Sequence, residues 1–347
     1  MIKLSHVKPS AEAAEAVKKL ILDGKIGQTE IIEEFEEKFA RWIGSKYAIA
    51  VSSGTMADTI ALAVLKHFNP EKNKVLVPAL TFIAQVNSVI YNGLTPVFYE
   101  TNEEIVFRKD TLCIFPVHLL GKPSRNSFVL VPEVEDACEA IGSKLFNKKC
   151  GTKGDLGTFS FFPSHAMTTG EGGMIVTDNE IYALLARRLR NHGKLSSTTF
   201  HFNVIGFNGK MTSMQAMLGI HALDEIDDVI EKRRKAYFAL GGKESDGEFI
   251  SPHAFPVICE SEKERNQTMI ALNRNGIECR NLFSCIPTQE EAYSYLGHKL
   301  GEFPISEDIG NRGLYVPCHQ GLSDEDIGKI KEILNAQKEA AREVLTV

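Results

Sequence analysis

From about residue 45 to residue 195 the chain alternates short apolar runs with helical stretches, and that alternation admits few folds. The runs KVLVPA, TPVFY, LCIFPV, SFVLVPEV, TFSFF and GMIVT are bounded by Gly, Pro, Asn or Asp, as strands are. Between several of them lie helical patterns such as SSGTMADTIALAVLKHF and TFIAQVNSVIYNG. Strands alternating with helices predict an α/β fold, a mostly parallel sheet with helices on its faces. Residues 213–240 read as one long helix, apolar on one side and charged on the other. Beyond it comes a short α+β stretch ending in SDEDIGKIKEIL, where Ser323 is placed to cap a last helix. The expected division is a large domain over 1–230 and a smaller C-terminal domain over 231–347.

Charge and composition remove two classes of partner. The net charge is −6 with signs interspersed and no Lys/Arg run, which gives nucleic acid nothing to hold. No apolar stretch is long enough to span a bilayer, and the first residues lack the pattern of a secretory signal. The seven cysteines are scattered without C-x-x-C spacing, so neither a metal site nor a disulfide framework is expected, and a reducing cytoplasm is. The same scatter argues against an iron–sulfur cluster.

Four local signals fall at the ends of expected strands, where α/β sheets bind ligands. Ser53-Gly54-Thr55 opens a helix after YAIAV, which suits either a phosphate on free N–H groups or an ordinary helix cap. Asp136 ends SFVLVPEVED and reads either as a cap or as the carboxylate partner of a protonated ring nitrogen. Ser160 and His165 share a Ser/Thr/Gly-rich loop between a strand and the turn Glu171-Gly172-Gly173. The last signal, Gly206-Phe207-Asn208-Gly209-Lys210, precedes the long helix and by itself reads as a loop.

Taken in order, SSGTMA, PALTFIAQVNSVIYNGLTPVF, PVHLLG, VEDACEAIGS, GDLGTFSFFPSHAMTTGEGGMIVT, LRNHG and GFNGKMTSMQAMLGIHAL carry a family pattern. The chain resembles the DegT/StrS-type sugar aminotransferases over nearly its whole length. That resemblance implies the fold type I architecture of the aspartate aminotransferase superfamily and pyridoxal 5′-phosphate (PLP) as cofactor, alternating with pyridoxamine 5′-phosphate (PMP). It implies that Gly54, Thr55 and Ser160 hold the cofactor phosphate, that Phe82 stacks on the pyridine ring, and that Asp136 faces the pyridine nitrogen. Glu139 stands where the family often has Gln beside the ring hydroxyl. Asn208 would reach the cofactor phosphate of a neighbouring subunit in a homodimer with shared active sites.

The departure from the pattern is His165. Family aminotransferases place a lysine after S-F-x-P-S, and it holds the cofactor through an imine that imidazole cannot form. Proton transfer remains open to a histidine of near-neutral pKa. This change resembles a branch of the family, the 3-dehydratases of nucleotide-linked 4-keto-6-deoxyhexoses such as that of colitose biosynthesis. The implied reaction uses L-glutamate to make PMP, takes a proton through His165, and expels the C3 hydroxyl. A related dehydratase with a four-cysteine iron–sulfur site is disfavoured by the cysteine scatter. Two other readings stay open: a sugar aminotransferase in which Lys153 or Lys210 replaces the missing lysine, and a silent binding protein that kept the fold. His192 and Arg280 are candidate substrate contacts, and a structural ion pair or a solvated charge is the alternative for either.

Overall fold

The computed structural model describes residues 1–100, 105–125, 130–195 and 200–345, with no side chains described beyond residue 338. The first helices are α1 (Ala11–Leu22) and α2 (Ile31–Ile43), and the sheet begins with β1 (Tyr47–Val51), buried along almost its whole length. Next come α3 (Gly54–Phe68), β2 (Lys74–Pro78), α4 (Ile83–Tyr91), β3 (Thr95–Tyr99) and β4 (Thr111–Ile114). Then follow β5 (Val134–Asp136), the hairpin β6 (Lys144–Leu145) and β7 (Lys148–Lys149), β8 (Leu156–Ser160) and β9 (Gly173–Thr177). Helices α5 (Glu180–Arg190) and α6 (Ser213–Ala239) complete this part. The run SFVLVPEV begins on residues outside those described, and its described part supplies only a bridge at Glu133 and β5.

Strands β3-β2-β4 form one ladder and β1-β9-β8-β5 another. Parallel bridges Ile114–Glu133 and Val117–Asp136 join them side by side. Every strand of the combined sheet is parallel except β9, which is antiparallel to both neighbours. The mostly parallel sheet read from the sequence is therefore present, with one reversed strand.

Period-two alternation splits the sheet's side chains between two cores. Phe159, Met174 and Val176 join Phe35 and Phe39 of α2 and Ile226 and Ile230 of α6 on one face. Leu156 and Ile175 join Ile60, Leu62 and Leu65 of α3 and Leu189 of α5 on the other. Buried Glu36 ties the layers together by accepting from the Ala50 N–H at 2.9 Å and pairing with Arg187 at 3.0 Å and with Arg190.

Helix α6 is the 27-residue element expected over 213–240, started by a Thr212/Gln215 capping box. Its C-terminal residues Ala236 and Tyr237 leave the sheet and enter a third core with Val257, Leu272, Leu314, Val316 and Ile330. That core lies on β11 (Phe255–Ile258), β12 (Arg280–Asn281) and β13 (Gly313–Val316), an antiparallel sheet preceded by β10 (Glu248–Phe249), which pairs with β6. It is flanked by α7 (Glu262–Arg274), with α8 (Ile286–Gln289), α9 (Pro304–Arg312) and α10 (Asp324–Leu345) completing the chain. Ser323 caps α10 as expected, its Oγ accepting from the Asp326 N–H at 3.1 Å. Among the described residues no helix is long and apolar enough to cross a membrane.

Candidate active site

Three parallel strands deliver their C-terminal ends to one place. After β1 the chain turns at Ser53, whose Oγ accepts from the Met56 N–H at 3.1 Å, and Gly54 opens the 15-residue helix α3. That turn is pinned by β9, since a Cβ on Gly173 would lie 2.4 Å from the Ser53 carbonyl oxygen. Gly54 is as tightly held: a Cβ there would stand 2.7 Å from Ser160 Cβ and 3.0 Å from Cys138 Sγ. Glycine thus lets the free N–H groups of the helix start approach the Ser160 hydroxyl at the end of β8. A helix N-terminus plus a hydroxyl is a phosphate cradle, and both parts expected of it, Gly54–Thr55 and Ser160, are brought together.

Asp136 ends β5 one strand away, with its Oδ1 accepting from the Cys138 N–H at 3.1 Å. Beneath it lies a second buried carboxylate, Asp58 of α3, which accepts from Thr158 Oγ1 at 2.6 Å. Ligand atoms of Asp58, Asp136 and Cys138 all fall within 4.8 Å of one another. Two ionised carboxylates that close repel by about 3 kcal/mol even at an effective dielectric of about 20. Burial pushes both carboxyls up, and for Asp58 the Asp136 charge adds to it. A cation placed against Asp136 relieves this, and the protonated nitrogen of a pyridine ring is such a cation. The residues present therefore fit PLP: an anion cradle at Gly54, Thr55 and Ser160, and a buried carboxylate, Asp136, that burial holds above its ordinary range and a further cation would stabilise.

Phe82 caps α4, is 52% exposed, and meets Phe283 edge to face with ring centroids 5.8 Å apart. Asn208 is exposed and pairs through its backbone with Asn191, while the Gly209 carbonyl accepts from the Ser52 N–H at 2.9 Å. The segment thus borders the Ser-Gly-Thr turn with Asn208 on the surface. Glu139 Oε2 accepts from the Leu120 N–H at 2.8 Å, and Oε1 lies 3.7 Å from His253 Nε2. Arg280 pairs with Glu278 at 3.6 Å, the structural alternative left open above, and also lines a cleft with His253 and Tyr315. His192 takes a positive φ of 60° and faces Lys210 Nζ at 3.4 Å.

His165 follows β8 in a loop closed on Phe161, whose carbonyl accepts from the Thr169 N–H at 3.0 Å and Thr168 Oγ1 at 2.9 Å. Its Nδ1 lies 3.2 Å from Nδ1 of His253. Arg233, fully buried, donates to the carbonyls of His165 and His253 at 3.0 Å each, of Pro252 at 3.2 Å and of Ser164 at 3.4 Å. It clamps the backbone on both sides of the histidine pair. Burial, with Arg233 beside it, pushes the His165 imidazole down to about 3. Against the near-neutral value expected from the sequence, these surroundings disfavour the cationic form of the ring.

His253, Arg233 and Asp58 are absent from the residues read as functional in the sequence. Arg233 sits on a helix with a charged face, Asp58 on a helix otherwise apolar, and His253 in the irregular stretch SPHAF. Asp58 alone carried a local signal, a charge inside the apolar run MADTIALAVL.

Residues 8–335 match the DegT/DnrJ/EryC1/StrS aminotransferase family. The GDP-perosamine synthase of Escherichia coli O157:H7 is 34% identical over 334 residues, 88% of this chain and 89% of that protein. The GDP-4-keto-6-deoxy-D-mannose 3-dehydratase of Yersinia pseudotuberculosis is 27% identical over 372 residues, 92% of this chain and 94% of that protein. Among solved structures, a GDP-4-keto-6-deoxymannose-3-dehydratase mutant with bound GDP-perosamine superposes with a TM-score of 0.87 at 25% identity, covering 96% of this chain and 100% of that one. The Helicobacter pylori aminotransferase PseC does so with a TM-score of 0.87 at 22% identity, covering 97% and 99%.

Proposed function

Since this chain belongs to the DegT/DnrJ/EryC1/StrS aminotransferase family, whose fold type I architecture it shares, we propose that it is a PLP/PMP-dependent 3-dehydratase of a GDP-linked 4-keto-6-deoxyhexose. L-Glutamate is the amino donor and leaves as 2-oxoglutarate; the sugar loses its C3 hydroxyl, and ammonia is released. One observation carries this reading: His165 occupies the loop position after S-F-x-P-S. The GDP group is supported by the printed names of relatives on both sides, since the sugar made by the 34% identical synthases is the ligand bound in the dehydratase structure.

When bound, the cofactor supplies an electron sink for the carbon next to its ring. Gly54, Thr55 and Ser160 would hold its phosphate, Phe82 would stack on its ring, and Asp136 would keep the ring nitrogen protonated. His165 accepts a proton through Nε2, the ring nitrogen left over once Nδ1 faces His253. Arg280 stands in the cleft beside His253, where a diphosphate would find a guanidinium. Subunits pair through the surface bearing Phe200 and Ile205, which are 90% and 97% exposed, bringing Asn208 to the neighbour's phosphate. Seven free thiols suit a cytoplasmic location.

The second reading, a sugar aminotransferase, is favoured by the 33–34% identity to GDP-perosamine synthases. It needs a lysine at the cofactor. Lys153 precedes β8, at the end of the strand away from Ser160, and its buried Nζ has no hydrogen-bond partner. Lys210 Nζ is engaged with Asn191 Oδ1 at 3.3 Å and His192. Borohydride treatment of the PLP-loaded protein separates the two readings. The dehydratase reading expects all cofactor to be released on denaturation; a peptide carrying reduced cofactor on Lys153 or Lys210 would establish the other.

A further inference from the structure

We propose that His165, His253 and Glu139 form a proton relay, in which a proton received at His165 Nε2 ends as a proton on the Glu139 carboxylate. The inference deepens the reading of His165 as the base and rests on it for its role in turnover. Its geometry stands independently.

The facing Nδ1 atoms, 3.2 Å apart, can share one hydrogen only, so the pair has two arrangements. In one, His165 Nδ1–H donates to His253, the hydrogen of His253 sits on Nε2 toward an ionised Glu139, and His165 Nε2 is a bare base. In the other, His253 Nδ1–H donates to His165, its Nε2 is bare toward a protonated Glu139, and His165 Nε2 carries a hydrogen. The two states differ by one proton. Passage from the first to the second takes a proton at Nε2, moves the Nδ1 hydrogen across, and hands the His253 Nε2 hydrogen to Glu139 Oε1. No imidazolium remains at the end.

The surroundings favour that outcome. Burial and Arg233 oppose a charged His165, and burial, His165, Arg233 and Arg280 hold His253 well below the usual imidazole range. Burial, opposed by the Leu120 N–H and reinforced by Asp136, pushes the Glu139 carboxyl up to about 8. Tyr315 and Cys138, which also face Glu139, are both held above their ordinary ranges, first by burial, so neither favours an added negative charge beside it. Glu139 is therefore the group of the three that takes a proton most readily. Its Oε2 is fixed on the Leu120 N–H, which leaves Oε1, at 3.7 Å from His253 Nε2, to accept the proton once the two atoms draw into hydrogen-bond distance. His253 and Glu139 are positioning residues that act through His165.

Nitrogen-15 histidine spectra of the protein, cofactor-free and PMP-loaded, test the relay without turnover, with His165→Asn and His253→Asn assigning the signals. Between about pH 6 and about pH 9.5 the His165 ring stays neutral while its hydrogen moves from Nε2 to Nδ1, following the ionisation of Glu139. In Glu139→Gln the amide keeps the Leu120 contact and the hydrogen stays on Nε2 throughout. In turnover, kcat/KM rises with pH through a value near 8, a limb that Glu139→Gln lacks. That variant lowers kcat on the order of 10²-fold with KM nearly unchanged, and Glu139→Asp recovers part of it. Titration of His165 to imidazolium in this range, or a tautomer indifferent to pH and to Glu139→Gln, would overturn the relay. An aminated sugar product with the tautomer switch intact would instead overturn the dehydratase reading and leave the relay standing.

Discussion

His165→Asn is expected to lower dehydratase turnover by about 10²–10⁴-fold, the contribution of a positioned general base. The asparagine retains a polar side chain of similar reach but has no basic nitrogen at neutral pH. Arg233 grips the backbone carbonyl of residue 165 and not its side chain, so the loop keeps its course in the variant. Cofactor binding is expected to change little, because Gly54, Thr55, Ser160 and Asp136 lie on other elements. Single-turnover assays of the PMP-loaded variant, with cofactor affinity measured in parallel, check both halves. Full turnover in His165→Asn would remove the histidine from the chemistry.

The second large effect is at Asp136. Asp136→Asn keeps an oxygen for the Cys138 N–H and so keeps the local turn. It removes the charge that holds a protonated ring nitrogen, and with it the electron-withdrawing power of the ring. A loss on the order of 10²–10³-fold in turnover is expected, the size found when one preorganised electrostatic partner is deleted. Apo-protein stability should move the other way. The variant relieves the confrontation between Asp136 and Asp58, whose carboxyls are both raised because burial disfavours their charged forms. A folded-state pKa above the unfolded value means the ionised pair penalises folding as pH rises past the unfolded carboxylate range. Apo Asp136→Asn is therefore expected to melt above the parent protein near neutral pH, with the difference vanishing toward acid. Thermal unfolding at two pH values measures it; an unchanged or lower melting temperature near neutral pH would contradict the charge argument.

Much of the site was legible because its parts obey local rules. Ser53-Gly54-Thr55 follows a strand and opens a helix, and the structure shows why the glycine is there: Ser160 and Cys138 leave no space for a Cβ. The strand runs were legible from their bounding residues, and the long helix from its amphipathic pattern, although β9 reverses direction in a way no local pattern announces. The histidine pair was not legible. His165 and His253 are 88 residues apart and meet where Arg233 of α6 donates to both of their backbone carbonyls. A buried arginine on a helix with a charged face looks, in sequence, like any solvated charge. Glu139 is the intermediate case: the family pattern marks its position, where Gln is usual, whereas its contact with His253 depends on tertiary packing.

On the proposed reading, a histidine in the lysine position turns this site from transamination to C3 dehydration. Mass spectrometry of the sugar after incubation with PLP, glutamate and GDP-linked 4-keto-6-deoxyhexose measures it directly. The expected product has lost the C3 oxygen, carries no added nitrogen, and appears together with ammonia. A sugar bearing an amine at C4 with every oxygen of its ring hydroxyls retained would contradict the claim and make the protein an aminotransferase.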